Sequence, residues 1–200
     1  MKFAAIDTCV VTAMASGYVL LEACHVSKRW SYLAIGLVFV LYVAYLLRRR
    51  TPSLHELGFR TDNIRTGLLP IGGFTLLGSL GLVASTVFRG IRPSATGILV
   101  LLALYPVFAV VQQTAFQGLL DRSLMSLTPS ATLQVLFTGT AFAAVHVGNN
   151  LLVALTFVAG IIWSLLYRIW PNIWLLSASH TLLASLAYPL VLGDAPLTRF

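Results

Sequence analysis

Val110-Val111-Gln112-Gln113-Thr114-Ala115-Phe116-Gln117-Gly118 lies near the end of an apolar run that begins at Gly97 and ends at Leu120. Three carboxamides in a segment otherwise so hydrophobic decide how the chain is read. A run of that length crosses the ~30 Å hydrocarbon of a bilayer as one helix. Hydrocarbon offers an amide no water, so these side chains face other helices or a wet cavity. At helical pitch Gln113 and Gln117 are one turn apart, with Gln112 about 100° from Gln113. Two later histidines inside apolar segments, His146 and His180, are as polar in context. Together they imply a buried polar centre built from three separate segments.

The composition points the same way. Hydrophobic residues are 58% and charged residues 10% of the chain, against roughly 25% charged in ordinary globular domains. Apolar runs near 20 residues recur at Phe3–Ala23, Ser31–Leu47, Gly67–Phe88, Gly97–Leu120, Thr132–Val147, Leu151–Trp170 and Ile173–Leu192. The expected fold is all-α: a polytopic integral membrane helical bundle with about seven transmembrane helices, surrounded by membrane lipid. No Ser/Gly linker, low-complexity tract or repeat divides it.

A net charge of +7 would suggest nucleic acid in a soluble chain. Here the arginines fall between apolar runs, which is a topology signal instead, and no nucleic-acid partner is expected. Counted by alternate side, Lys2, Arg48, Arg49, Arg50, Arg60, Arg65, Arg122 and Arg168 oppose Lys28, Arg29, Arg89, Arg92 and Arg199. That bias of eight to five predicts a multi-pass protein of the cell membrane with a cytoplasmic N-terminus and an external C-terminus.

Local features fill in the scheme. Asp7 interrupts the first apolar run, which continues to Leu21, so the reading is an uncleaved span rather than a signal peptide. Cys9 and Cys24 would be about 22 Å apart on that helix, too far to bridge, and read as small core residues. Glu22 and His25 are expected on one helix face near Lys28 and Arg29, at the mouth of the span. The basic linker from Arg48 to Arg60 is amphipathic, and Pro52 suits the start of a short helix lying on the membrane surface. The third run carries Gly67, Gly72, Gly73, Gly78 and Gly81, which suggests close helix packing.

Beyond the glutamines, the fifth run ends Phe142-Ala143-Ala144-Val145-His146-Val147-Gly148-Asn149-Asn150. The seventh carries Ser177-Ala178-Ser179-His180-Thr181-Leu182-Leu183-Ala184-Ser185. At helical pitch Phe142, His146 and Asn150 follow one another at one-turn steps, and Ser177 precedes His180 by one turn. The order QQTAFQG, FAAVH, SASHTLLAS resembles the three motifs of the CPBP family of CAAX proteases and bacteriocin-processing (Abi) proteins. Those motifs are EExxxR, FxxxH and HxxxN. Leu54-His55-Glu56-Leu57-Gly58-Phe59-Arg60 upstream, and Gly160 to His180 with Tyr167, Arg168 and Trp174, read like the same family. The resemblance divides the chain into an N-terminal two-helix segment, 1–50, and a CPBP-like core, 51–200, within one membrane domain.

The resemblance implies an intramembrane endopeptidase acting near the C-terminus of a membrane-presented peptide or protein. It also implies that one acid of the glutamate pair activates water while the histidines and asparagine position the reacting groups. Gln112 and Gln113 stand at the glutamate pair and Gln117 at the arginine. His146 and His180 match directly, and Ala184 replaces the asparagine. Phe142, Asn149, Asn150 and Ser177 are the flanking binding candidates.

A carboxylate accepts a proton from water or ligates a cation; a carboxamide does neither at ordinary pH. Loss of a general base typically costs on the order of 10²–10⁴ in rate. Zinc would need a third ligand besides His146 and His180, and the candidate positions are amides, so no metal and no cofactor are expected. The acids elsewhere are Asp7, Glu22, Glu56, Asp62, Asp121 and Asp194. Asp121 is expected at the membrane surface, and Glu22 is the one with a route inward. The leading expectation is a catalytically impaired CPBP-like protein that binds a membrane-presented C-terminus and assists protein processing. An active protease with an unusual base is the alternative, and a small transporter with a midplane amide–histidine site is a third.

Overall fold

The computed structural model describes residues 2–49, 52–90 and 94–193, without the side chains of Lys2, Lys28, Arg29 and Arg89. Arg50 and Thr51 of the basic linker, Arg92, Asp194 and Arg199 lie outside the described residues. The described chain is all-α. Helices α1 (Lys2–Ala23), α2 (Lys28–Arg49), α3 (Ile64–Arg89) and α4 (Ala95–Gln113) lead into a π-helical segment, Thr114–Asp121. Then come α5 (Arg122–Leu127), α6 (Ala131–Ala144), α7 (Asn150–Ile169), α8 (Ile173–Ala187) and a second π-helical segment, Tyr188–Leu192.

Among the described residues, six helices are long and apolar enough to cross a membrane: Phe3–Ala23, Trp30–Arg49, Ile64–Phe88, Ala95–Leu127, Asn150–Ile169 and Ile173–Leu192. The fifth expected span is the exception. It forms α6, an apolar helix of 14 residues, about 21 Å long at 1.5 Å per residue. It stops at Ala144 because the chain turns there, with Gly148 at φ +105°, a value an L side chain rarely adopts. Asn149 then caps α7 by accepting the Leu152 N–H at 3.0 Å. His146 therefore sits in the turn, and its expected one-turn relation to Asn150 does not form.

The chain makes two compact units. The first comprises Met1–Phe59 and Thr114–Pro171, the second Arg60–Gln113 and Asn172–Phe200. In the first, α1 packs on α2, α5, α6 and the π segment, and α7 packs on α6. Asp7 is 2% exposed yet fully engaged. Tyr42 donates to one carboxylate oxygen at 2.5 Å, Ser123 to the other at 3.2 Å, and Arg122 Nη1 stands 4.0 Å from that second oxygen. A carboxylate in an apolar helix persists when it is paired in this way. Phe142 takes Phe116 and Trp163 edge-to-face, at ring distances of 5.2 and 5.5 Å.

Other local expectations change. α1 ends at Ala23 and His25 adopts φ +58°, so Glu22 and His25 do not share a helix face. Cys9 and Cys24 are free and exposed rather than core residues. The linker's short helix is one turn, fixed by a capping box in which Ser53 N–H donates to Glu56 at 2.7 Å and Glu56 N–H to Ser53 Oγ at 3.2 Å. Those bonds hold the Glu56 carboxyl below its usual range. The cap is thus complete above the ordinary carboxylate pKa and is lost as pH falls through the lowered value. Gly58 (φ +93°) closes the turn, and Tyr167 donates to the Leu57 carbonyl at 3.1 Å.

In the second unit, α8 packs on α3 and α4. Asn172 caps α8 through Leu175 N–H at 3.0 Å and donates to the Arg60 carbonyl and to Asn63 Oδ1. The Thr75 and Ser179 hydroxyls meet at 2.7 Å. Of the third-span glycines, Gly78 makes a close approach, since a Cβ there would sit 2.9 Å from Leu183 Cδ2. At Gly72, Gly73 and Gly81 a Cβ would meet nothing within 4 Å.

The tightest helix crossing is instead in the first unit and was not read from sequence. A Cβ on Gly160 would lie 3.1 Å from the Gly139 Cα, and one on Gly139 would lie 2.8 Å from Ile161 Cγ1 and 3.3 Å from its backbone nitrogen. Gly160→Val should therefore force α6 and α7 apart at a cost of about 1–3 kcal/mol, whereas Gly72→Val should be near neutral. Thermal or denaturant unfolding in detergent checks the contrast, and equal losses at the two positions would contradict it.

Candidate active site

The expected site residues fall into both units. Gln112, Gln113, Ser177 and His180 belong to the second; Gln117, Phe142, His146, Asn149 and Asn150 belong to the first. Each set is described within its own unit.

In the second unit α4 and α8 bring Gln113 to His180. Gln113 is wholly buried and His180 is 3% exposed. The Gln113 Nε2 lies 3.4 Å from His180 Nδ1, and Tyr105 Oη lies 3.4 Å from His180 Nε2. An amide nitrogen can only donate, so Nδ1 accepts and the Nε2 proton points at the tyrosine oxygen. Tyr105 also meets the imidazole edge-on, with ring centres 5.4 Å apart at 71°. Both ring nitrogens of His180 thus contact neutral groups. Gln113 Oε1 has no hydrogen-bond partner, nor does Oε1 of half-buried Gln112 or Oγ of buried Ser177.

One turn after His180, Ala184 packs into an apolar cluster with Leu101, Tyr105, Ala109 and Tyr188. The position where the motif has asparagine is therefore lined by hydrocarbon and two tyrosine side chains. Ser185 is wholly buried beside it with an unpartnered hydroxyl.

In the first unit, His146 is 9% exposed and its Nδ1 lies 2.8 Å from the Phe142 carbonyl. A carbonyl accepts, so Nδ1 carries the proton and Nε2 keeps the lone pair. The Phe142 ring stacks obliquely on the imidazole at 5.1 Å. Gln117 lies in the π segment, wholly buried, with neither amide atom partnered. Gln113 closes α4 before the winding changes, so the α-pitch relation between Gln113 and Gln117 does not hold. Asn149 is spent on capping α7, and Asn150 is the exposed first residue of that helix.

Asp121, expected at the membrane surface just past the glutamine helix, is wholly buried within the first unit, with Thr138 donating to Oδ1 at 3.4 Å. Its place one turn past Gln117 was the available signal. Tyr105 was missed altogether, since an aromatic in an apolar run reads as lipid-facing. Glu22 does reach the histidine turn: its Oε1 lies 3.7 Å from where a Cβ on Gly148 would sit.

Among the described residues no three His, Cys, Asp or Glu side chains gather at metal-binding spacing.

Residues 93–186 match the family model described as "Type II CAAX prenyl endopeptidase Rce1-like". That stretch carries all three motifs, so the recognition made from them holds across it: this is a CAAX-protease-like, multi-pass membrane protein. No curated protein and no solved structure matches the chain.

The His180 geometry sets a spectroscopic expectation. Nitrogen-15 spectra should show His180 with a bare Nδ1 and a protonated Nε2, and Gln113→Leu should relax that preference. A wild-type His180 protonated on Nδ1 would contradict the assignment.

Proposed function

We propose that this chain is a hydrolytically impaired CPBP-like protein that binds a membrane-presented peptide or protein C-terminus and assists protein processing. The observation that carries the reading is the Gln113–His180 pair in the second unit. Among the described residues of that unit the acidic side chain is Asp62, and Arg60 holds it bidentately at 3.0 and 2.5 Å. Among the described residues of that unit no further carboxylate stands beside His180 to take a proton from water. The amides keep polar packing and hydrogen bonding but discard charge, and binding needs only the former. A cytoplasmic N-terminus in the cell membrane belongs to this proposal. If α6 does not cross, Arg168 and Arg199 exchange sides and the bias stays eight to five.

Restoring Gln112→Glu, Gln113→Glu, Gln117→Arg and Ala184→Asn together should raise hydrolysis of a membrane-presented C-terminal peptide by on the order of 10²–10⁴. A folded variant without any gain would mean that the pocket has changed beyond these four positions, as the apolar surroundings of Ala184 would explain.

The approach of Glu22 to the His146 turn favours one second reading, an active peptidase with Glu22 as its base. On that reading wild-type protein cleaves and Glu22→Gln abolishes cleavage. On the leading reading Glu22→Gln leaves peptide binding and background hydrolysis within about twofold of wild type.

A further inference from the structure

The first unit contains a column of buried polar groups that the motif residues do not account for. Its levels can be read from the contacts. Phe116, Phe142 and Trp163 form one aromatic layer across the π segment, α6 and α7. Five residues along the π segment from Phe116, Asp121 accepts from Thr138, which lies one turn back along α6 from Phe142. Five residues along α7 from Trp163, Arg168 acts electrostatically on the same Asp121. The π segment and α7 therefore run side by side in the same direction, with α6 opposed. Gln117 and Ser164, each one residue past the aromatic layer, occupy the level between it and Asp121–Arg168.

Three of the groups along this column are buried and Arg168 is half-buried, and they are not satisfied by one another. Gln117, Asp121 and Ser164 have no exposed surface. Gln117 Oε1 and Nε2, Ser164 Oγ, Asp121 Oδ2 and Arg168 Nη1 all lack a hydrogen-bond partner. Buried polar atoms in native proteins are almost always paired, commonly through ordered water. Inside a membrane the need is stronger, because lipid supplies nothing.

We propose that this column is an intramembrane water-binding site, in which ordered waters bridge Gln117, Ser164, Asp121 and Arg168. The donor and acceptor pattern selects the ligand. The Asp121 carboxylate only accepts and disfavours an anion; the Arg168 guanidinium only donates and disfavours a cation. Gln117 and Ser164 each do both. A small neutral molecule that donates and accepts meets all four, and water bound in proteins typically makes about three such bonds. Gln117 and Asp121, four residues apart in the π segment, stay on about the same side, and such segments recur at functional sites. The waters hold the carboxylate and guanidinium as a bridged pair, which lets two charges remain at depth.

The test uses full-length protein and two readouts. A structure at a resolution that resolves water should show density within about 3.2 Å of Gln117, Asp121 and Arg168. Direct Gln117–Ser164 and Asp121–Arg168 hydrogen bonds without intervening density would overturn the proposal. The Gln117→Leu/Ser164→Ala double variant, with Ser164→Ala alone as the milder change, gives an independent sign. If waters bridge the column, both variants lower the unfolding temperature, because waters and remaining charges lose partners. If the column is dry, the substitutions remove orphaned groups and raise it, which would also refute the site.

Discussion

Hydrocarbon cannot hydrogen-bond, and that constraint governs the polar side chains buried in the apolar helices of this protein. Asp7 is tolerated because Tyr42 and Ser123 donate to it with Arg122 nearby. His180 is tolerated because an amide and a phenol flank its two nitrogens. The same rule makes the orphaned groups informative. Where a membrane-buried amide such as Gln117 has no protein partner, something outside the chain must supply one.

On the proposed reading, the protease-type motifs have been converted along that constraint. With acids at 112 and 113 and arginine at 117, the set would carry charge that must be compensated at depth. With three glutamines the hydrogen-bonding shape survives without that cost. Gln113 still reaches His180, and the FxxxH turn still fixes His146 through the Phe142 carbonyl. Ala184 shows that the conversion extends further, since apolar packing occupies the place where an asparagine would need a polar partner. On the proposed reading, such a scaffold serves binding rather than proton transfer.

Much of the fold was legible because apolar run length and membrane thickness are matched. α1, α3, α7 and α8 fall close to the runs read from sequence. The fifth run overshoots its helix because hydropathy continues through Val145 and Val147, while α6 stops at Ala144 and the chain turns from Val145 to Gly148. The glycine reading holds at Gly78 but not at Gly72, Gly73 or Gly81. Composition picked out the glycine-rich third span, but close approach depends on which residue faces a neighbour, and Gly139 and Gly160 do. At the candidate site, the Phe142–His146 pairing followed from local spacing. Burial of Asp121 and the Tyr105 contact depend on other helices, which one sequence does not position. The π winding that follows Gln113 has no periodic signature in the sequence either.

The central proposal is that the chain binds a membrane-presented C-terminus and that the Gln113–His180 pair offers no acid to drive hydrolysis. Saturation binding and turnover should be measured on one membrane-presented C-terminal peptide, with wild type and His146→Ala/His180→Ala in the same liposomes. The account predicts saturable binding that the double variant weakens, with turnover the same in both proteins. Repeated turnover by wild type that vanishes in the double variant would contradict it.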